Sequence, residues 1–113
     1  MRNLSMLVLI LTSFAASPAM ASGENIDIVS PVDGAKLDFK AENKMVYDVN
    51  LGTTTGGHIH VYVDGEEADL LRQPKGSYTF DPLAKGKHEI CLKIVNKNHT
   101  PIGVEHCIKV TVE

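Results

Sequence analysis

HEICLKIV (residues 88–95) and VEHCIKVTV (residues 104–112) are the two longest alternating segments of this 113-residue chain. In both, apolar residues occupy every second position, which is the period of a β-strand with one buried face. The segment between them, NKNHTPIG (residues 96–103), contains the Asn, Pro and Gly that favour a loop. The two segments therefore predict an antiparallel hairpin.

The apolar positions of this hairpin also predict its register. If the loop is centred on His99, Ile90 lies opposite Ile108 and Cys91 lies opposite Cys107. A slip of one residue would turn the apolar residues of one strand to the polar face of the other. We expect a cross-strand disulfide between the two cysteines in an oxidising compartment, with free thiols as the alternative.

Shorter β-branched segments recur through the chain, and Gly, Pro, Asp or Asn bound each of them. No helical period of apolar residues extends over three turns, so the pattern predicts an all-β fold. We expect an immunoglobulin-like two-sheet antiparallel sandwich of about seven strands. The predicted segments are 26–29, 44–51, 58–63, 66–71, 77–80, 88–95 and 104–112, with 35–39 as a short edge piece.

The first 21 residues differ in composition from the rest of the chain. Arg2 is their only charged residue, an apolar run covers residues 4–14, and Ala19-Met20-Ala21 has the small residues that a signal peptidase requires. We therefore predict a secretory signal peptide over residues 1–21 and one exported domain, periplasmic or extracellular, over residues 22–113. The apolar run is too short for a stable anchor, so no membrane insertion is expected after cleavage.

Charge and composition exclude several functions of this domain. The net charge of −3 becomes −4 without Arg2 and is spread without runs of one sign, so neither nucleic acid nor an anionic membrane is an expected partner. The chain contains no Trp, which leaves little material for aromatic binding platforms. It also lacks a nucleophile-elbow motif, and no Gly-rich loop precedes a predicted helix. We therefore expect a binding module and not an enzyme.

Three turn-rich motifs carry a resemblance to a known class of domain. They are SPVDGA (residues 30–35), VYVDG (residues 61–65) and YTFDPLAKGKHEI (residues 78–90). With these motifs the chain resembles the bacterial immunoglobulin-like and fibronectin-type-III-like domains of exported proteins. The resemblance implies a β-sandwich. It also implies that a structural corner leads into the strand at 88–95, formed by Leu83, Gly86 and His88.

His58 and His60 have the spacing of metal ligands on a strand. Residues i and i+2 project from the same face, so two imidazoles can reach one ion. Because Ile59 and Val61 make the better core face, we expect both histidines to point outward. On the outer face of the neighbouring strands, Glu105 is the nearest expected oxygen ligand.

Two functions of this outer face remain open from the sequence. In the first, the histidines are solvated, no cofactor is required, and a protein or a small ligand binds the outer face of segments 58–63, 88–95 and 104–112 with the loop at 52–57. In the second, His58 and His60 hold Cu(II), Zn(II) or Ni(II), and Glu105, water or a second protomer completes the site. The protein would then be a periplasmic copper- or zinc-binding protein.

Overall fold

The computed structural model describes residues 23–113, which form a sandwich of two β-sheets. The predicted signal peptide, residues 1–21, lies outside the described residues. Within the described part of the chain, no helix is long and apolar enough to cross a membrane. The strands are β1 (Asn25–Ser30), β2 (Ala35–Leu37), β3 (Lys44–Asn50), β4 (His58–Val63), β5 (Glu66–Leu71), β6 (Lys75–Thr79), β7 (Gly86–Val95) and β8 (Pro101–Val112).

The strands form one sheet of order β1-β3-β6 and one of order β2-β8-β7-β4-β5. The predicted sandwich is confirmed. The edge piece expected at 35–39 is the strand Ala35–Leu37, and it pairs with β8 in parallel, not in the antiparallel direction expected for the sandwich. The turn before this strand is fixed to β8, since the Gly34 amide donates to the Lys109 carbonyl at 2.7 Å. The Lys109 amide in turn donates to Asp33 Oδ1 at 2.8 Å. These bonds fix the turn at which the chain passes from the three-stranded sheet to the five-stranded sheet.

The core lies between the two sheets and follows the predicted alternation. In β3, Met45, Tyr47 and Val49 are buried and their neighbours are exposed. In β4, Ile59 and Val61 are completely buried. Each such aliphatic side chain contributes about 1.5–3 kcal/mol when it is removed from water. The core cluster also contains Ile26, Ile28, Phe80, Ile90, Leu92, Ile94, Ile108 and Val110.

The predicted register of the β7–β8 hairpin is confirmed along most of its length. Ile90 lies opposite Ile108, and Cys91 lies opposite Cys107. The two sulfur atoms form a disulfide. Because Cys91 alternates with the fully buried Ile90 and Leu92, the disulfide lies on the outer face of the sheet.

The predicted register is wrong at the tip of the hairpin. Lys93 lies opposite Glu105 as expected, but Val95 lies opposite Pro101, so β8 bulges between these two pairs. The connecting loop is therefore residues 96–100, and β8 begins earlier than predicted. A bulge bends its strand and so changes the direction in which the adjoining loop leaves the sheet.

Leu83, Gly86 and His88 lie at the entry into β7, where the resemblance places a structural corner. Leu83 packs against the core, and Gly86 has a φ of +123°, which favours glycine. The His88 ring donates from Nε2 to the Ala84 carbonyl at 2.7 Å and from Nδ1 to Asp64 Oδ2 at 2.6 Å. The ring thus ties the start of β7 to the turn between β4 and β5.

The contact between His88 and Asp64 shifts the pKa of both groups. Hydrogen bonds to Asp64 and to the Ala84 carbonyl raise the pKa of His88, and desolvation opposes them. Desolvation raises the pKa of Asp64, but hydrogen bonds from His88 and the Glu89 amide outweigh it and leave that pKa lowered. Each shift favours the charged form, so between the two pKa values the pair is an imidazolium beside a carboxylate.

Removing the disulfide should destabilise the domain. The pair Cys91→Ala and Cys107→Ala removes a cross-link between residues separated by 16 positions. We expect the free energy of unfolding to fall by about 3 kcal/mol and the melting temperature by roughly 12–24 °C. Thermal melts followed by circular dichroism measure this difference. Equal melting temperatures for the variant and the oxidised wild type would contradict it.

The Asp64–His88 pair should stabilise the fold within a limited pH window. The raised pKa of His88 gives stability that is complete below the unfolded value of about 6.5 and is lost as pH rises through the folded value. The lowered pKa of Asp64 gives stability that is complete above about pH 4 and is lost as pH falls. Asp64→Asn should therefore destabilise the protein by about 1 kcal/mol more at pH 5.5 than at pH 9. Urea unfolding at the two pH values tests this, and an equal destabilisation at both would refute it.

Candidate metal centre

Three imidazole rings meet on the outer face of the five-stranded sheet. β4 contributes His58 and His60, and the loop at 96–100 contributes His99. Nε2 of His58 and Nε2 of His60 are 3.2 Å apart. Nδ1 of His99 lies 3.2 Å from the first of these nitrogens and 3.1 Å from the second. These three residues are named the histidine cluster below.

His58 and His60 project from the outer face of β4 as predicted, but their side chains are not exposed. Ile59 and Val61 point into the core, so His58 and His60 project from the opposite face. Their exposed fractions are only 5% and 3%. The expectation that these side chains are solvated is therefore wrong. The hairpin loop at 96–100 folds back over β4 and contacts both rings.

Asn96 organises the loop that carries His99. Its Oδ1 accepts hydrogen bonds from the backbone amides of Asn98 at 2.9 Å and Thr100 at 3.1 Å. Its carbonyl accepts one from the His99 amide at 2.9 Å. His99 has a φ of +63°, a left-handed conformation that Asn, Asp and His adopt more often than other non-Gly residues do. Such conformations persist where their surroundings hold them, and they cluster at functional sites.

The loop between β3 and β4 packs against this hairpin loop. The Lys97 amide donates to the Thr55 carbonyl at 3.2 Å. Gly56 has a φ of +63°, and a Cβ built on it would lie 2.5 Å from Lys97 Cβ. Only glycine therefore permits this approach. The Gly56 carbonyl also accepts from Nδ1 of His58 at 3.3 Å, so the same residue orients one ring of the cluster.

The contacts of the Nδ1 atoms of His58 and His60, which face away from the cluster, indicate where the ring protons lie and therefore which inner nitrogens carry lone pairs. Nδ1 of His58 faces the Gly56 carbonyl, and Nδ1 of His60 lies 3.4 Å from Glu67 Oε1. Both partners accept, so in the neutral rings the proton lies on Nδ1 and both Nε2 atoms present lone pairs. A proton on Nδ1 of His99 can bridge to each of them, but the two Nε2 lone pairs still face one another. A cation among the three nitrogens would satisfy all of them.

The spacing of the three nitrogens fits a metal tripod. Zinc binds imidazole nitrogen at about 2.0–2.1 Å, which places neighbouring nitrogens of a tetrahedral site about 3.3 Å apart. The cluster distances of 3.1–3.2 Å are close to this value. Imidazole ligands suit zinc and copper. The carboxylate of Glu67 beside His60 supplies the contact that commonly orients a metal-binding histidine.

Burial favours the metal-binding form of His60. Desolvation lowers the pKa of His60, Glu67 raises it, and the neighbouring His58 and His99 lower it further. The net pKa is below the ordinary value. A ring that stays neutral keeps the Nε2 lone pair that a metal ion requires.

Comparison with known proteins identifies the fold. The fibronectin(III)-like modules of Clostridium thermocellum CbhA superpose with a TM-score of 0.66 at 16% identity, over 79% of this chain and 97% of theirs. The chain has the fold of a fibronectin(III)-like module. The CARDB domain of a Pyrococcus furiosus protein matches with a TM-score of 0.51 at 18% identity, over 79% of this chain and 93% of that domain.

A third similar structure is an extracellular domain from B. thetaiotaomicron, with a TM-score of 0.51 at 12% identity. The match covers 73% of this chain and 12% of that one. No protein-family model matches the sequence, and no curated protein sequence matches it. The predicted resemblance to immunoglobulin-like and fibronectin-type-III-like sandwiches is therefore confirmed for the fold, and a fold does not specify a function.

Glu105 does not join the cluster in this fibronectin(III)-like sandwich. It lies on β8 opposite Lys93, which in turn lies opposite His60 on β4. Two strand spacings, about 10 Å, therefore separate Glu105 from His60. The structure instead brings His99 to the place assigned to Glu105. The sequence contained one indication of the role of His99. This third histidine lies at the centre of the β7–β8 hairpin loop, and β7 is adjacent to β4.

Proposed function

We propose that this protein is an exported, non-catalytic binding module whose ligand is a zinc or copper ion held by the histidine cluster. The observation that carries the proposal is the mutual approach of three ring nitrogens to 3.1–3.2 Å. The proposal keeps His58 and His60 from the predicted ligand set and replaces Glu105 by His99.

Export is supported by two independent features. Residues 1–21 have the charge, the apolar run and the small residues of a signal peptide. Cys91 and Cys107 form a disulfide, which persists in oxidising compartments such as the periplasm and the extracellular space. Metal ligation by imidazoles fits such a compartment, because histidine does not oxidise to a disulfide as thiolate ligands do.

The position of the cluster agrees with a role in binding. The surface expected to bind a ligand was the outer face of β4, β7 and β8 with the adjoining loop at 52–57. The cluster lies on this face, and both adjoining loops hold it in place. Two ligands come from a central strand and one from a short, hydrogen-bonded loop. Such a scaffold holds the ligands close to their binding geometry before the ion arrives. A protein partner for the same face stays a prediction.

Calorimetric titration with Zn²⁺ and Cu²⁺ tests the proposal. We expect one ion per chain in the wild type. His58→Ala, His60→Ala and His99→Ala should each weaken binding by at least about 100-fold, because each removes one of three ligands. Glu105→Gln is the matched control, and its affinity should equal that of the wild type. Unchanged affinity in His99→Ala, in a protein whose circular dichroism is native, would reject the proposed site.

Glu67 should contribute to affinity without touching the ion. Glu67→Gln weakens the acceptor at Nδ1 of His60, so we expect metal affinity to fall by about 10-fold while the stoichiometry stays the same. Glu66→Gln, on the same exposed edge strand, is the control. If the two variants bind the ion equally well, Glu67 does not support the site.

A further inference from the structure

We infer that the ion in the histidine cluster carries a small, exchangeable anion as its fourth ligand. This inference rests on the proposed metal-binding function and specifies the ligand that the bound ion accepts. It follows from the number of protein ligands, from access to the site and from the charges around it.

The protein supplies three ligands where zinc prefers four. Among residues 23–113, the group of His, Cys, Asp and Glu ligand atoms that meet at this point contains only His58, His60 and His99. The Glu67 carboxylate contacts Nδ1 of His60, the nitrogen on the far side of the ring from the ion. Zinc sites with three protein ligands keep their fourth position for water or an external ligand.

Access to this position comes from the side of the hairpin loop. His58 and His60 are almost completely buried against the sheet, whereas His99 is exposed. The rings of His58 and His60 close the side of the site that faces the sheet. The remaining coordination position therefore points towards the solvent that surrounds His99. A small ligand can exchange there without any movement of the sheet.

The charges around the cluster favour an anion at this position. Three neutral imidazoles leave the double positive charge of the ion uncompensated. Lys93 lies opposite His60 on the adjacent strand, with its ammonium 4.4 Å from the centre of the Tyr62 ring. Lys97 lies in the loop that carries His99. Glu67 is in contact with the cluster and Glu105 lies opposite Lys93, so two carboxylates balance the two lysines and the charge of the bound ion leaves the site positive.

The size of the anion is limited by the single free coordination position and by the two buried rings beside it. Two of the three rings are buried, and the loops at 52–57 and 96–100 pack closely against each other beside them. A monodentate anion of a few atoms, such as azide, thiocyanate or acetate, fits one coordination position. A chelating anion would compete with a histidine and remove the ion.

The experiment uses the oxidised full domain loaded with Co²⁺, whose visible spectrum reports on its coordination. Calorimetry first establishes one Co²⁺ per chain, and azide is then titrated while the spectrum is recorded. We expect a saturable change with one azide per ion, reversed by dialysis, with the Co²⁺ retained. An unchanged spectrum in the 1:1 complex would overturn the inference while leaving metal binding intact. Loss of Co²⁺ to the buffer on adding azide would overturn it as well. Failure to bind Co²⁺, Zn²⁺ and Cu²⁺ would reject the proposed function itself.

A pair of lysine variants tests the role of the surrounding charge. Lys93→Gln should weaken azide binding to the Co²⁺ complex several-fold, with Co²⁺ affinity within a factor of two or so of the wild type. Lys75→Gln is the matched control, because Lys75 lies on β6 of the opposite sheet. Equal azide affinity in the two variants would remove Lys93 from the anion site.

Discussion

The register of β7 against β8 is the constraint on which the outer sheet depends. Apolar residues on the inner face require this register, and the disulfide between Cys91 and Cys107 fixes it covalently on the outer face. Beyond Lys93 the register shifts, and the shortened loop turns back over β4. One hairpin therefore both closes a modest core and carries His99 to the other two histidines.

The hydration and the polar contacts of the two β4 histidines depend on the loop that covers them. On an uncovered sandwich, His58 and His60 would be hydrated. Under the hairpin loop they lose water, and a buried polar ring costs free energy unless its nitrogens have partners. The Gly56 carbonyl accepts from one outer nitrogen, and the Glu67 carboxylate lies 3.4 Å from the other. The inner nitrogens have only one another, and this arrangement favours a cation.

Local patterns were sufficient for most of the fold. Alternation in β4, β7 and β8 predicted which side chains enter the core, and the Asp and Gly residues between the predicted segments 58–63 and 66–71 indicated the turn between β4 and β5. For residues 35–39 the sequence indicated a short edge piece but not its partner, and Ala35–Leu37 pairs in parallel with β8. That strand has only three residues. Hydrogen bonds between the preceding turn and Lys109 determine which sheet it joins. A segment so short has too few side chains to specify its partner.

The amino-acid pattern alone specified the sandwich, the placement of Cys91 opposite Cys107 and the direction in which His58 and His60 leave their strand. Each of these follows from alternation within one strand or across one hairpin, so no distant contact is needed. The packing of the folded chain determined that these rings are buried and that His99, not Glu105, lies beside them. His99 is separated from the two rings by 41 and 39 positions in the chain. It reaches them through a bulge and two packed loops, whose direction depends on contacts that no local pattern encodes.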